Sequence, residues 1–188
     1  MENHLLGPTF KTIQKHMNGM DVFEAIKTRL EIREFADKPV PREVVKEILE
    51  AARLSPSGLN SQHWRFILVE GADELKQLAE MSTSGKWVEN AALAVIVLTS
   101  PKYPWHLFDA GRVATHMQLA AWNRSVGSRV YTGYDEKAMR GKYGVPQEYH
   151  IACVIGFGYP KHKIIGRKNR QPIEALAFSG KMGNPLKL

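Results

Sequence analysis

RLEIREF at residues 29–35 and SPSGLNSQHW at residues 55–64 are the two stretches that carry most of the information in this chain. The first, the arginine turn, places two fixed cations, Arg29 and Arg33, four residues apart. The second, the amide loop, consists largely of small and amide-bearing residues, which let a backbone approach a flat ring closely. Together they predict a site for a ligand that has a phosphate group and a heterocycle.

The composition favours one domain that binds an anion. A chain of 188 residues, 44% of them hydrophobic, can build one substantial core. The formal net charge of +7 suits nucleic acid, a membrane surface or an anionic small molecule. The basic residues are dispersed except for one dense cluster, which comprises Lys161, Lys163, Arg167, Lys168 and Arg170. Neither a zinc-finger spacing nor an aromatic RNA-binding motif accompanies that cluster, so a local anion site is favoured over nucleic-acid binding.

The single cysteine and the lengths of the apolar runs bear on the compartment. Cys153 lies in the apolar run 151–155 and is expected to be a buried, inert thiol, since a reactive thiolate needs access and a nearby positive charge. One cysteine permits no intrachain disulfide, which favours a reducing compartment. No apolar run approaches the ~20 residues that a membrane-spanning helix needs. We therefore expect a cytoplasmic protein that binds no membrane.

Hydrophobic periodicity predicts one α/β or α+β domain in which a sheet of short strands lies between helices. Helices are expected at residues 9–17, 21–29, 41–55, 72–81, 105–126 and 135–143, and strands at residues 65–70, 91–99, 128–132 and 150–157. Asp21 with Glu24 resembles a capping box, and Gly127 is expected to end the long central helix. Residues 1–19 are interpreted as an accessory arm, and residues 20–188 as one domain with an irregular basic tail. No G-x-G-x-x-G follows a first strand, which disfavours a dinucleotide-binding Rossmann domain.

Flavin mononucleotide (FMN) is the ligand that the cations suit best. Its phosphate needs positive charge, and Arg29, Lys168 and Arg170 are candidates to clamp it. Its isoalloxazine ring needs positive charge near N1 and O2, which Arg33 can supply. For each of these side chains, a solvated surface charge or an ion pair with a neighbouring acid is the alternative.

The amide loop suits the ring of the same ligand. Pro56, Ser57 and Gly58 have small side chains that allow close approach to a flat surface, and Asn60 and Gln62 can bond to the amide and carbonyl edges of the ring. Ordinary turn chemistry is the alternative interpretation of this composition.

These motifs resemble those of the nitroreductase family, whose members are FMN-dependent homodimers. The family motifs read approximately R-x-S-x-[RK]-x-F and, after an alanine-rich helix, A/S-P-S-x-x-N-x-Q-P-W. The chain gives R-x-E-x-R-x-F at residues 29–35 and AARLSPSGLNSQHW at residues 51–64. Later segments also agree, namely DAG at 109–111, TGY at 132–134, IGFGYP at 155–160 and KNRQP at 168–172. The resemblance spans about residues 20–176.

The resemblance implies a fold, a cofactor and roles for individual residues. The fold it implies is an α+β three-layer sandwich with a mixed or antiparallel sheet flanked by helices, in a homodimer whose FMN lies at the interface and is held tightly but not covalently. The phosphate lies on Arg29, Lys168 and Arg170, and Arg33 contacts the pyrimidine edge of the ring. The partner's amide loop lies against the flavin through Pro56, Ser57 and Gly58, with Asn60 nearby. A backbone N–H at Thr132 or Gly133 faces flavin N5.

Two departures from the family motifs bear on the chemistry. Glu31 stands where many members have a small hydroxyl residue, and a carboxylate repels a phosphate unless it turns away to pair with an arginine. Its role in flavin binding is therefore open. His63 replaces the usual proline before Trp64 and puts a titratable group near the site. His63 is a candidate for proton transfer, although a packed or solvent-facing histidine is the favoured interpretation.

The segment before the central helix supplies candidates for a substrate pocket. Larger relatives often insert helices here, whereas this chain has only the short segment 101–106. Trp105, His106 and Phe108 are the candidate lining residues, and packing at the start of a helix is the alternative interpretation of their aromatic rings.

The function that follows is that of an oxidoreductase. NAD(P)H delivers hydride to FMN, leaves, and is replaced by an electron-poor small-molecule acceptor of the nitroaromatic or quinone type, in ping-pong chemistry. The cofactor carries the redox chemistry, so neither a protein nucleophile nor a metal is required. One alternative keeps the fold and the flavin but cleaves flavin, removes a halogen or dehydrogenates a ring. Another is a non-catalytic protein that binds anions or nucleic acid through its basic tail.

Overall fold

The computed structural model describes residues 20–164, 166 and 168–187. Within these ranges the helices are α1 (Val22–Thr28), α2 (Arg42–Arg53), α3 (Ala72–Glu80), α4 (His106–Asn123) and α5 (Glu136–Tyr143). The strands are β1 (Arg65–Glu70), β2 (Leu93–Thr99), β3 (Gly127–Tyr131) and β4 (His150–Gly158). The proposed accessory arm at residues 1–19, with its helix at 9–17, lies outside the described residues, and the division of the chain into arm and domain stays a prediction.

The four strands form one antiparallel sheet in the order β1-β2-β4-β3. The pairing of β2 with β4 shifts in register between Val97 and Leu98. This bulge turns Ile151 and Cys153 toward opposite faces of the sheet, although they are two residues apart. The sheet therefore supplies apolar side chains to a core on each side.

Helices cover both faces of the sheet, as the sequence predicts. On one face, α2 and α4 pack against β2 and β4, and the buried side chains include Ile48, Met117 and Phe157. On the other face, α3 and α5 pack with Leu78 and Met139 among the buried residues. Each helix buries one stripe and each central strand buries both faces, which is the arrangement of a three-layer α+β sandwich.

The predicted boundaries are correct to within a few residues, with one wrong assignment at the end of the central helix. Asp21 caps α1 by accepting hydrogen bonds from the backbone N–H groups of Phe23 and Glu24. Gly127 does not end α4. The helix ends at Asn123, Ser125 takes the left-handed turn with φ of 60°, and Gly127 begins β3. Glycine is required at 127 because an added Cβ would lie 2.5 Å from the side chain of Ile32.

The two informative stretches lie on either side of α2 in the sequence. The arginine turn runs beside β3, where Glu31 forms a parallel bridge with Ser128, and then reaches the end of β4, where Phe35 pairs with Pro160. The amide loop follows the last turn of α2 and leads into β1.

Candidate functional site

A cluster of three cations is formed by Arg29, which follows α1, and by Lys168 and Arg170 of the C-terminal segment. Burial, followed by the positive charges of Arg29 and Arg170, lowers the pKa of Lys168, while Glu31 acts in the opposite direction. Lys168 donates a hydrogen bond to the carbonyl of Ile26. Cations that repel one another in this way form a site in which a phosphate group would be stabilised.

A cavity of about 840 Å³ adjoins the cation cluster. Its walls combine apolar side chains of α1 and its neighbours with the cations, and they are formed by Phe23, Ile26, Lys27, Thr28, Leu30, Trp122, Ile164, Gly166, Lys168 and Arg170. The lining therefore combines lysine and arginine side chains, which suit an anionic group, with apolar side chains, which suit the uncharged part of a ligand.

Glu31 does turn toward an arginine. Its Oε1 lies 2.5 Å from Nη1 of Arg29 and accepts a second hydrogen bond, of 3.3 Å, from Nε2 of Gln118. The side chains of Arg29 and Glu31 are 22% and 41% exposed, so solvent screens this ion pair only in part. The carboxylate therefore neutralises part of the cation cluster and holds Arg29 in place.

Arg33 lies on the exposed side of the arginine turn. It lines a shallow cavity of about 300 Å³ together with Pro160, His162 and Lys163, which follow β4. His162 Nε2 lies 3.3 Å from a carboxylate oxygen of Glu34 in the same cavity. Arg33 therefore lines a different cavity from Lys168 and Arg170, and the two cavities share Leu30 and Ile164.

The segment Thr132-Gly133 follows β3 and is held by a turn at residues 82–85. The Gly133 carbonyl accepts hydrogen bonds from the Thr83 N–H, at 2.9 Å, and from Ser82 Oγ, at 3.3 Å. A Cβ at Gly133 would lie 2.5 Å from Thr83 Oγ1. Ser82 is buried, and its hydroxyl also accepts the N–H groups of Ser84 and Gly85. No sequence motif singles out Ser82, which stands three residues before Gly85.

The amide loop is unusual in its backbone. Leu59, Asn60 and Gln62 have φ angles of 54°, 53° and 46°, in the left-handed region that non-glycine residues seldom adopt. Ser57 Oγ accepts the Gln62 N–H at 3.0 Å, and Gln62 Nε2 donates to Asn60 Oδ1 at 3.2 Å. Such conformations cost energy and cluster at binding sites, which makes this loop a candidate for ligand binding.

A buried carboxylate anchors the amide loop. Asp109, in the first turn of α4, has a side chain that is 0% exposed. Its Oδ2 accepts the Gly58 N–H at 3.0 Å and faces His63 Nε2 at 3.2 Å, and its Oδ1 accepts from Arg112 Nη1 at 3.2 Å. In the sequence, Asp109 stands out only as part of the DAG motif, since an acid at the start of a helix is ordinary.

The candidate pocket residues take three different positions. Trp105 packs against Gly58, where an added Cβ would lie 2.3 Å from the indole nitrogen. His106 Nδ1 bonds with Thr99 Oγ1 at 2.9 Å, and burial and then the charge of His150 lower the pKa of His106. Phe108 is exposed, and Cζ of Arg112 lies over its ring, 4.1 Å from the ring centroid. The structure does not bring these three side chains together in one pocket.

The described ranges 20–164, 166 and 168–187 contain no group of three or more histidine, cysteine or acidic side chains that could hold a metal ion. No helix in these ranges is long and apolar enough to cross a membrane.

Comparisons with known proteins identify the family. A model of the nitroreductase family matches residues 26–102 and 84–159. A protein of Archaeoglobus fulgidus, named for a proposed NADH dehydrogenase or NAD(P)H nitroreductase activity, is 34% identical over 150 residues, which cover 75% of this chain and 86% of that protein. An iodotyrosine deiodinase of Thermotoga neapolitana is 22% identical over 164 residues, covering 74% of this chain and 88% of its own.

A solved structure agrees with the sequence relatives. An FMN-dependent nitroreductase of Clostridium difficile superposes with a TM-score of 0.78 at 26% sequence identity, and covers 84% of this chain and 98% of that one. The matched segments include the arginine turn, the amide loop and all four strands. The chain belongs to the nitroreductase family.

Proposed function

We propose that this protein is an FMN-dependent oxidoreductase that takes hydride from NAD(P)H and passes reducing equivalents to an electron-poor acceptor, such as a nitroaromatic or a quinone, by a ping-pong mechanism. The observation that carries the proposal is the cavity of about 840 Å³ that Lys168 and Arg170 line beside α1, the helix that Arg29 caps. The family and the relatives named for NAD(P)H and FMN support the same reaction class.

The residues of the site fit FMN in three respects. The cation cluster matches a phosphate that carries nearly two negative charges. Arg33 stands on the same turn as Arg29 and is available for the pyrimidine edge of the ring. Gly133 packs against Thr83 and Ser84, which leave no room for a side chain, so the turn at residues 82–85 holds the backbone after β3 that would face the flavin. The flavin supplies the hydride chemistry, and the protein residues bind and orient it.

The proposal includes a homodimer. The amide loop exposes Leu59 by 87%, and Leu54 and Phe108, beside the loop and on α4, are exposed by 64% and 63%. Apolar side chains exposed around a strained loop are typical of a surface that another chain covers. In the dimer the loop would contact the flavin of the partner subunit, so that each site consists of two chains.

A direct test uses the purified full-length protein. A yellow preparation with flavin absorbance, bleached by NADPH or NADH under anaerobic conditions and reoxidised by a quinone, would support the proposal. Protein that remains colourless and takes up no added FMN would refute it. Parallel steady-state assays with both nicotinamides will assign the preferred donor, and light scattering with and without FMN will test the dimer.

Reductive removal of a halogen is the second candidate, because an iodotyrosine deiodinase is among the relatives. Both candidates require FMN, so they differ only in the acceptor. Initial rates with a halotyrosine and with a nitroaromatic, measured at equal flavin concentration, separate them. A ratio that favours the halotyrosine would replace the first candidate by the second.

A further inference from the structure

The carboxylate of Asp109 is buried, and the proposed flavin chemistry does not require an acid at this position. A fully buried acid is costly unless hydrogen bonds compensate it. Asp109 receives three donors, from the Gly58 backbone, His63 and Arg112, at 3.0 to 3.2 Å. Gly58 lies 51 residues away in sequence and His63 lies 46 residues away, so the carboxylate ties the amide loop to α4.

The hydrogen bonds of His63 define its tautomer. The Ser100 N–H donates to His63 Nδ1 at 3.3 Å, so Nδ1 is an acceptor and the proton lies on Nε2. Nε2–H then donates to Asp109 Oδ2 at 3.2 Å. The His63 ring is buried and stacks on Tyr103 with ring centroids 5.0 Å apart. Both ring nitrogens are engaged, which leaves neither free to exchange a proton with a ligand.

The network acts on a part of the loop that is conformationally costly. Leu59, Asn60 and Gln62 adopt left-handed backbone angles, which such residues keep only where the surrounding structure enforces them. Gly58 and His63 lie directly on either side of these residues, and both are bound to the same carboxylate oxygen. Because Gly58 and His63 both bind Oδ2 of Asp109, this oxygen holds the two ends of the segment 58–63 close together.

We propose that Asp109 and His63 are positioning residues, which hold residues 58–63 in the conformation that contacts the flavin and thereby set FMN affinity and the flavin's optical spectrum. His63 supplies through a side-chain hydrogen bond the constraint that a proline supplies in the family motif. This inference rests on the proposed function, because it assumes that the amide loop contacts FMN.

The geometry specifies which substitutions discriminate. Asp109→Asn keeps the volume, but its NH₂ group must face either Arg112 or the pair Gly58 and His63, and a donor then meets donors. His63→Leu fills the ring's space without donating to Asp109. His63→Gln can still donate to Asp109 and accept from Ser100. Glu148→Gln, at an exposed acid, is the matched control for the loss of one charge.

The experiment measures FMN binding to each apo protein by fluorescence titration, together with visible circular dichroism of the bound flavin and thermal unfolding of the apo form. Asp109→Asn and His63→Leu should raise the dissociation constant roughly tenfold or more, since each disrupts hydrogen bonds to a charged group, and should change the visible dichroism. His63→Gln and Glu148→Gln should stay within about threefold of the wild type, because both keep the network.

The outcomes separate the inference from the function on which it rests. If Asp109→Asn and His63→Leu lose thermal stability but keep the wild-type dissociation constant and dichroism, the network is purely structural and the inference is wrong. If His63→Gln behaves like His63→Leu, the hydrogen bond is not the cause and the inference is also wrong. If the wild-type protein binds no FMN, the proposed function fails first and the inference fails with it.

Discussion

Gly58→Ala should destabilise the protein through one rigid contact. A Cβ built on Gly58 lies 2.3 Å from Nε1, 2.5 Å from Cε2 and 2.7 Å from Cδ1 of Trp105. Non-bonded carbon atoms prefer about 3.5–4.0 Å, so the ring or the loop must move by about 1 Å. The indole cannot yield freely, because its nitrogen is buried and Tyr103 packs beside it with ring centroids 5.7 Å apart.

The expected magnitude has two parts. Overpacking of this kind costs about 1–3 kcal/mol. A loop shift of about 1 Å would also stretch the 3.0 Å hydrogen bond from the Gly58 N–H to Asp109 beyond bonding range. Taking about 2 kcal/mol as the central value, and about 2–4 °C per kcal/mol for a chain of this size, the melting temperature should fall by about 4–8 °C.

Thermal unfolding of the FMN-free protein at one fixed concentration measures this effect without ligand linkage. Gly141→Ala is the matched control, since an added Cβ at this exposed position in α5 meets nothing within 4 Å. Alanine in place of a helical glycine should stabilise by about 0.5–1 kcal/mol. The two substitutions should therefore shift the melting temperature in opposite directions. An unchanged or raised melting temperature for Gly58→Ala would refute the packing of the loop on Trp105.

Three further predictions concern charged and thiol groups. Arg29→Ala should weaken FMN binding by about 1.5–3 kcal/mol, whereas Glu31→Gln should tighten it because a negative charge leaves the cation cluster; in fluorescence titration, unchanged affinity of Arg29→Ala would contradict the first assignment and weaker binding by Glu31→Gln the second. The pKa of Lys168 is lower in the folded protein than its ordinary value of 10.5, so the protonated side chain destabilises the fold. The free energy of unfolding should therefore increase as the pH rises toward 10.5 and Lys168 loses its proton. Side-chain NMR should show Lys168 titrating below the exposed lysines and moving upward when inorganic phosphate is added; no response to phosphate would argue against the anion site. Burial raises the pKa of Cys153 to about 12, so Ellman's reagent should modify it at pH 8 only as fast as the protein opens, and immediate labelling of the native protein would disagree.

The helices and strands were predictable because local pattern and tertiary burial agree. In β2 all seven residues are buried, as the unbroken apolar run indicates. In α2 the stripe of Val44, Val45, Ile48 and Ala52 is the buried face. At the end of α4 the local pattern and the tertiary structure disagree. The left-handed turn that ends the helix lies at Ser125, whereas Gly127 packs closely on Ile32. A glycine in sequence does not reveal which of these two needs it serves.

The amide loop shows a different limit. Its residue types suggested a close approach to a ring, but the left-handed angles fall on Leu59, Asn60 and Gln62 and not on the glycine. Leucine offers no local signal for such an angle, because the cost is met by tertiary contacts. Those contacts come from Asp109, about fifty residues along the chain, which no short-range pattern connects to the loop.

Backbone hydrogen bonds hold the arginine turn in place, whereas bonds to a side chain hold the amide loop. Substitutions in the two stretches therefore measure different contributions to FMN binding. Backbone hydrogen bonds hold the turn, from the N–H of Ile32 to Ser128, of Ala36 to Tyr159 and of Lys161 to Glu34, at 2.8 to 3.0 Å. A change of the Arg29 or Arg33 side chain leaves these bonds intact, so its effect on FMN affinity measures charge. The amide loop is held by the side chain of Asp109. A substitution of Asp109 therefore changes the conformation of the loop without changing any residue of the loop. Combining Arg29→Ala with Asp109→Asn should therefore give additive losses of binding energy if the two stretches serve separate flavin contacts, and strong non-additivity would place them in one coupled site.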